Sequence, residues 1–221
     1  MADHTVSDDT RPDDTRPDDE IWDELYSGSE QRWSGNPNAI LVREVTGTEP
    51  GRALDLGCGE GGDAIWLARE GWRVTATDVS RVALDRAARH AAEAGVADRI
   101  DWQQHDFTVS FPGGVYDLVS AQFLHSLGGM SREKVLRTAV PAVAPGGVLL
   151  VVGHAGSPSW EHHAHPEVRF PTPEEVLDDL DLAEGEWEVL ICEEHPRTQA
   201  GPDGQPTTRT DNTVKVRRLS A

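Results

Sequence analysis

The amino-acid sequence predicts an α/β fold, a doubly wound and mostly parallel sheet with helices on both faces. Three observations lead there. Between Arg52 and Val152 short apolar runs alternate with helical stretches, and repeated strand, helix, strand units build a parallel sheet covered on both sides. The first run ends in Gly57-Cys58-Gly59-Glu60-Gly61-Gly62 and opens directly into a helix. A length of 221 residues, 37% of them hydrophobic, suits a single core with additional segments.

Residues 1–20 hold the tandem Asp8-Asp9-Thr10-Arg11-Pro12 and Asp13-Asp14-Thr15-Arg16-Pro17 without any apolar pattern, so a disordered, solvating acidic tail is expected there. The folded domain is expected over 21–221. Ile21, Trp22, Leu25, Tyr26 and Trp33 open it with large apolar groups, a helical or lid-like segment ahead of the first strand. From Asn38 to Thr46, Ile40, Leu41, Val42 and Val45 recur at helical spacing, and Gly47 is a stop. Arg52 to Leu56 reads as a strand, Asp63 to Glu70 as a helix, and Trp72 to Thr77 as an alternating strand closed by Asp78. Ser80 is placed to cap an Ala-rich helix reaching about Ala94. Strands are expected at Ile100 to His105, Tyr116 to Ala121 and Val148 to Val152, with a helix from Ser131 to Val143 between the last two. The pattern then loosens from Ala155 to Pro171, expected as a substrate-covering loop, before a short helix near Pro173 to Leu180. Two final strands, Trp187 to Glu193 and Thr213 to Arg218, flank a polar Gly/Pro/Thr stretch that suits a turn.

Charge narrows the function. Twenty basic against thirty-nine acidic residues give a formal net charge of −19, which repels phosphate backbones and anionic lipid surfaces. Neither nucleic acid nor membrane is an expected partner, and a small-molecule substrate is. No apolar run approaches the roughly 18 residues of a membrane span, and the acidic, polar N-terminus shows no secretory leader. Cys58 and Cys192 are too few for a disulfide framework. A cytoplasmic protein is expected, and residue patterns leave its oligomeric state open.

A strand running into glycines that open a helix places bare amides and the positive helix end at the carboxyl edge of the sheet. Gly57, Gly59 and Gly62 match the dinucleotide pattern G-x-G-x-x-G, which leaves a nicotinamide enzyme open. Asp55 argues against it, because a carboxylate there repels a pyrophosphate but pairs with a cationic amino group. The sequence also has no Tyr-x-x-x-Lys pair.

The full series Asp55-x-Gly57-x-Gly59-x-Gly61 resembles that of class I S-adenosylmethionine (SAM)-dependent methyltransferases. Further motifs extend the resemblance: Asp78-Val79 ending the second strand, Asp106-Phe107 after the third, Tyr116-Asp117-Leu118-Val119-Ser120-Ala121 as the fourth, and Pro145-Gly146-Gly147 as a turn before the fifth. The resemblance implies a seven-stranded sheet whose last strand is antiparallel and inserted between the fifth and sixth. It implies SAM as cofactor and S-adenosylhomocysteine as product, held by Asp55, Gly57, Cys58, Gly59, Gly61, Asp78, Val79, Asp106, Phe107 and Gln122. Asp78 would accept from the ribose hydroxyls and Asp106 from the adenine amino group. With Trp33-Ser34-Gly35-Asn36-Pro37-Asn38 ahead of the motif, the chain looks like the small bacterial enzymes related to tellurite-resistance and thiopurine-type methyltransferases. Those tend to methylate soft nucleophiles.

Ligands of such sheets sit outside the strand carboxyl ends, which singles out Gln122, Phe123, His125 and His154. His125 and His154 are the candidate general bases, though His125 would equally cap the next turn. Trp22, Tyr26, Trp33, Phe123 and Trp160 either line an acceptor pocket or belong to the core. His162, His163 and His165 imitate a metal site together with His154, but irregular spacing and the lack of an adjacent Cys argue against a metal. The expected function is methyl transfer to a small thiol or other soft nucleophile. N- or O-methylation of a secondary metabolite and a non-catalytic SAM-binding regulator are the rivals.

Overall fold

A computed structural model describes residues 16–126, 129–157, 169–201 and 204–220. Its elements are α1 (Asp18–Ser27), α2 (Ala39–Val45), β1 (Arg52–Leu56), α3 (Gly62–Arg69), β2 (Arg73–Asp78), α4 (Arg81–Glu93), β3 (Ile100–Gln104), β4 (Tyr116–Gln122), α5 (Arg132–Ala139), β5 (Val143–His154), α6 (Pro173–Asp179), β6 (Trp187–Ala200) and β7 (Pro206–Arg218). The seven strands form one sheet in the order β3-β2-β1-β4-β5-β7-β6. Strands β1 to β5 pair in parallel, while β7 runs antiparallel to both β5 and β6. The reversal between β1 and β4 puts the carboxyl ends of those strands at the crevice where open α/β sheets bind ligands.

Strand alternation divides the core into two. Leu149 and Val151 of β5 pack with Val135, Leu136 and Ala139 of α5 and with Val176 of α6. Their neighbours Leu150 and Val152 point the other way, into a cluster with Leu41 of α2 and Ala64, Leu67 and Ala68 of α3. Side chains two apart share a face of a strand, so continuous apolar runs are buried on both sides. Helix starts follow local chemistry: Ser80 accepts from the amide of Ala83 at 3.1 Å, and Thr172 and Glu175 form a reciprocal capping box.

Several boundaries differ from the sequence reading. Helix α1 begins at Asp18, so residues 18–20 of the expected tail belong to the fold; residues 1–15 lie outside the described residues. The expected helix from Ser131 to Val143 ends at Ala139 and continues as a 3₁₀ turn over Val140–Ala142, with Pro141 inside it. Pro145-Gly146-Gly147 is not a turn before the fifth strand but a bulge within β5, where pairing jumps from Tyr116↔Val143 to Leu118↔Val148. The largest departure is at the C-terminus. There β6 and β7 run on through the stretch read as a polar loop, paired continuously from Cys192↔Val214 to Ala200↔Pro206. The polar residues at 194–199 and 207–211 suggested a turn, but a two-stranded arm beyond the sheet needs no alternating apolar face. Among the described residues no helix is long and apolar enough to cross a membrane.

Candidate functional site

β1 delivers Asp55 and Leu56 to the crevice, and the glycine loop turns the chain into α3. The amides of Gly57 and Cys58 both donate to the carbonyl of Thr77, at 2.8 and 2.9 Å, fastening the loop to the end of β2. Gly59 takes φ of 52°, and a Cβ there would stand 3.0 Å from the Tyr26 hydroxyl. At Gly61, with φ of 87°, a Cβ would stand 2.8 Å from the Trp102 ring and 3.0 Å from Ala87 Cβ. Both positions demand left-handed backbone and close approach, which only glycine supplies without strain.

Three carboxylates surround the loop. Asp78 accepts from the amide of Gly59 at 2.8 Å through one oxygen and from that of Ser80 at 2.9 Å through the other. Burial raises its pKa to about 6 against the lowering effect of these amides. Asp63 accepts from the backbone and side-chain amides of Asn38, at 2.6 and 2.7 Å. Asp55 is 1% exposed, and its Oδ2 has no hydrogen-bond partner among the described residues. Burial, then Asp63 and Asp78, push its pKa well above the usual carboxylate range. Gln122 points its Nε2 at Ser120 Oγ, 3.0 Å away, and its buried Oε1 is likewise unpartnered. An unpaired buried acceptor costs about 1–3 kcal/mol, so these atoms mark where a donor belongs.

The segment before α2 covers the loop. Glu60, 3% exposed, accepts from the amides of Arg32 at 3.0 Å and Trp33 at 2.9 Å. It also pairs with Arg86 of α4 at 2.9 Å, and Arg86 donates onward to the carbonyl of Tyr26 at 2.8 Å and to that of Ser29. Trp33 Nε1 donates to the Tyr26 hydroxyl at 3.0 Å. Burial, then Asp78, raises the pKa of that phenol well above its ordinary value, so it stays protonated. Trp22 lies beside Tyr26 with ring centroids 6.0 Å apart. Tyr26 and Trp33 therefore sit over the glycine loop, against Gly59.

A second group forms at the ends of β4 and β5. Phe123 has φ of 52°, an uncommon conformation for a bulky residue, held by its amide bonding to the Val152 carbonyl at 2.8 Å. Its ring meets that of His154 at 4.6 Å, and His125 stacks on His154 at 5.2 Å. His154 Nδ1 lies 2.9 Å from Oδ1 of Asp211, its register partner on β7. A carboxylate can only accept, so Nδ1 carries the proton and Nε2 presents a lone pair. Asp211 is wholly buried; burial alone would raise its pKa, but the bonds from His154 and from Arg197 Nε, at 2.5 Å, bring it below the usual range. Burial lowers the pKa of His154, partly opposed by Asp211, so its imidazole is neutral near pH 7. The His125 pKa is also lowered, by the protein crowding its ring and then by His154, Arg132 and Arg209. That ring remains open to solvent, which tempers the first cause and leaves the direction.

The sequence-derived residues thus fall into two groups. Asp55, Gly57, Cys58, Gly59, Gly61 and Asp78 meet at the loop, and Gln122, Phe123, His125 and His154 at the strand ends. Cys58 is a protonated thiol, its pKa raised by burial and then by Asp78 and Asp55. Val79 offers its carbonyl to Gln104 Nε2 at 3.0 Å. Asp106 Oδ1 is engaged in its own turn, accepting from the amide and hydroxyl of Thr108 at 2.8 and 2.7 Å, and Phe107 packs on Phe111 at 5.7 Å. Trp160, His162, His163 and His165 lie outside the described residues. Sequence reasoning missed Asp211, Arg197, Glu60 and Arg86. Asp211 and Arg197 lay in the stretch taken for a loop. A strand reading of Glu194 to Gln199 against Thr207 to Asp211 would have set them as diagonal neighbours, with His195 opposite Asp211 and Arg197 opposite Arg209.

Comparison with known proteins agrees with this geometry. Residues 53–147 match a family model described as a methyltransferase domain. Among curated proteins, the chain is 30% identical over 140 residues to ribosomal RNA small subunit methyltransferase C of Alcanivorax borkumensis, covering 60% of this chain and 42% of that one. It is 28% identical over 151 residues to 2-heptyl-1-hydroxyquinolin-4(1H)-one methyltransferase of Mycobacteroides abscessus, covering 66% of each. The chain thus spans less than two thirds of the length of these relatives. Among solved structures, one described as the conversion of a disulfide bond into a thioacetal group during echinomycin biosynthesis superposes with a TM-score of 0.69 at 22% identity, covering 91% of this chain and 92% of that one. Residues 53–147 thus resemble a methyltransferase domain, and the chain shares the Rossmann-like fold of that solved structure.

Proposed function

We propose that this protein is a SAM-dependent methyltransferase acting on a small molecule whose accepting atom carries a removable proton, a thiol before a hydroxyl or an amine. The observation that carries the cofactor assignment is Asp55 Oδ2, a buried carboxylate oxygen without a partner at the mouth of the glycine loop. SAM suits that acceptor in hydrogen bonding: its ammonium is a cationic donor, and the molecule bears a net positive charge that the Asp55, Asp63 and Asp78 cluster would neutralise. Gln122 Oε1 is a second acceptor for the same end, and the Asp78 carboxylate faces the loop where ribose hydroxyls would donate.

Bound SAM supplies an electrophilic methyl group on a sulfonium, transferred by in-line displacement. The protein's part is alignment, exclusion of water and removal of the acceptor's proton. Asp211 fixes the His154 tautomer so that Nε2 takes that proton as the accepting atom attacks. A thiol, with its ordinary pKa near 8.5, needs only a modest base of this kind. The echinomycin-pathway structure, described by its sulfur chemistry, supports the thiol reading, and the hydroxyquinolinone relative keeps hydroxyl acceptors in the test. A net charge of −19 favours a small acceptor over nucleic acid, and the two free thiols, Cys58 and Cys192, suit a reducing compartment such as the cytoplasm.

The test is calorimetric titration with SAM, followed by mass-spectrometric detection of S-adenosylhomocysteine release with a panel of thiols, phenols and amines. We expect SAM to bind and thiols to give the fastest release. Asp55→Asn should weaken SAM binding by about 1.5–3 kcal/mol, the range for a hydrogen bond to a charged group. SAM binding without release from any acceptor would make the protein a cofactor-binding regulator, and binding of NADH in place of SAM would overturn the assignment.

A further inference from the structure

Asp211 of β7 stands opposite His154 of β5 on one side and His195 of β6 on the other. It is wholly buried, and both its oxygens are engaged: Oδ1 by His154 Nδ1 at 2.9 Å, Oδ2 by Arg197 Nε at 2.5 Å. Arg197 is itself held in place. Its Nη1 donates to Gln199 Oε1, and its guanidinium lies over the Phe123 ring, 5.4 Å from the centroid, a favourable seat for a cation. The β6–β7 arm thus delivers one cation to one buried carboxylate, in a fork that a lysine ammonium would not reproduce.

A buried carboxylate needs one countercharge. Arg197 supplies it, and the His154 imidazole beside it can stay neutral. Without Arg197 the readiest replacement is a proton taken up by the His154–Asp211 pair. That proton puts hydrogen on Nε2 wherever it settles: an imidazolium is protonated at both nitrogens, and an imidazole accepting from a protonated Asp211 at Nδ1 keeps its own proton at Nε2. The other groups around the pair do not replace Arg197. Arg209 of β7 donates its Nε to the Gly156 carbonyl at 2.9 Å and covers the Phe170 ring. Arg43 of α2 pairs with Glu44. His195, with Nδ1 3.3 Å from Thr213 Oγ1, is kept neutral by burial against the pull of Asp211 and Glu193. His125, stacked on His154, is neutral as well.

Resting on the reading of His154 as the base, we propose that Arg197 is its positioning residue: the guanidinium neutralises Asp211, so that His154 keeps its one proton on Nδ1 and presents the Nε2 lone pair to the cleft at neutral pH. Arg197 acts through Asp211 rather than on the acceptor. The lowered pKa of His154, with Arg197 among its causes after burial and Arg209, agrees with that role.

The test is a pH titration of the full-length, ligand-free protein, followed by NMR through the imidazole nitrogen shifts of His154, which separate a nitrogen bearing a lone pair from a protonated one. In the wild type Nε2 should be unprotonated at pH 7 and gain its proton only below 6.5. Arg197→Gln should raise that midpoint by at least about one pH unit, the effect of losing a single nearby charge. Arg197→Lys, which keeps the charge, should stay nearer the wild type. A role confined to fastening the arm would lower the melting temperature of R197Q and leave the His154 midpoint in place, and that outcome would overturn the proposal. Should R197Q fail to fold, the wild type decides: an Arg197 Nε–H exchanging freely with water at pH 7, or a His154 already protonated at Nε2 there, would overturn it, and a protected Nε–H beside an unprotonated Nε2 would support it. The titration needs neither cofactor nor acceptor. A midpoint that moves in R197Q while the acid limb of kcat does not would uphold the pairing of Arg197 with the dyad and strike His154 as the base.

Discussion

On the proposed reading, His154 is the residue on which the chemistry turns. A neutral imidazole with its Nδ1 proton committed to a buried, ionised Asp211 is a base of fixed tautomer. Replacing it with Ala should lower turnover by about 100-fold, the scale of a general base, with SAM affinity nearly unchanged. A rate within about twofold of wild type would remove His154 from the mechanism. The pH dependence has a definite sign. Burial holds the His154 pKa below its ordinary 6.5, so kcat should stay level from pH 7 down to 6.5 and fall only at lower pH as the base is protonated. Loss beginning above pH 6.5 would point to another group. Asp55, Asp78 and His154 were legible because strand ends preceding glycines or following apolar runs announce themselves. Asp211 was not, because an Asp in Thr208-Arg209-Thr210-Asp211-Asn212-Thr213 has no local pattern, and only register against His154 gives it a role.

At the scale of elements, the segment from α1 to α2 is fastened to the glycine loop and α4 by a buried ion pair, beside the Asn38–Asp63 and Asp23–Ser80 hydrogen bonds. Glu60 and Arg86 each serve several backbone partners: Glu60 the amides of Arg32 and Trp33, Arg86 the carbonyls of Tyr26 and Ser29. Removing one member leaves the other charged, buried and unpaired, at a cost of about 3–5 kcal/mol. Arg86→Met should therefore lower the melting temperature markedly and speed hydrogen exchange at residues 26–34 ahead of that of β1 and β4. Uniform exchange across the molecule would mean that the segment is not separately latched. Sequence reading placed the apolar residues of this segment but not its fastening. Glu60 looked like a variable position inside a glycine motif, and Arg86 like one more charge on an Ala-rich helix. The β6–β7 arm was misread for a related reason. Its outer half packs no core, so the apolar alternation by which strands are recognised stops at Glu193 although the pairing continues.

Taken as a whole, the molecule pits two sets of buried groups against each other. Asp55, Asp63 and Asp78 have folded pKa values above their unfolded ones. The folded chain holds those protons more tightly, so their contribution to stability is greatest in acid and is lost as pH rises, through about 6 for Asp78. His125 and His154 act oppositely: their folded pKa values are depressed, so the unfolded chain takes up protons first and stability falls as pH drops below about 6.5. The ligand-free protein's melting curve mixes these trends, but the increment produced by SAM should separate them, because in the proposed site the cofactor pairs with the carboxylates and not with the histidines. Binding that requires ionised Asp78 should be about fourfold weaker at pH 5.5 than at pH 7, the ratio of ionised fractions for a group titrating near 6. The thermal stabilisation by a fixed SAM concentration should shrink accordingly. Asp78→Asn should flatten that dependence while lowering affinity at pH 7. A stabilisation equal at both pH values, or larger at 5.5, would show that the acidic cluster does not supply the cofactor's counter-charge.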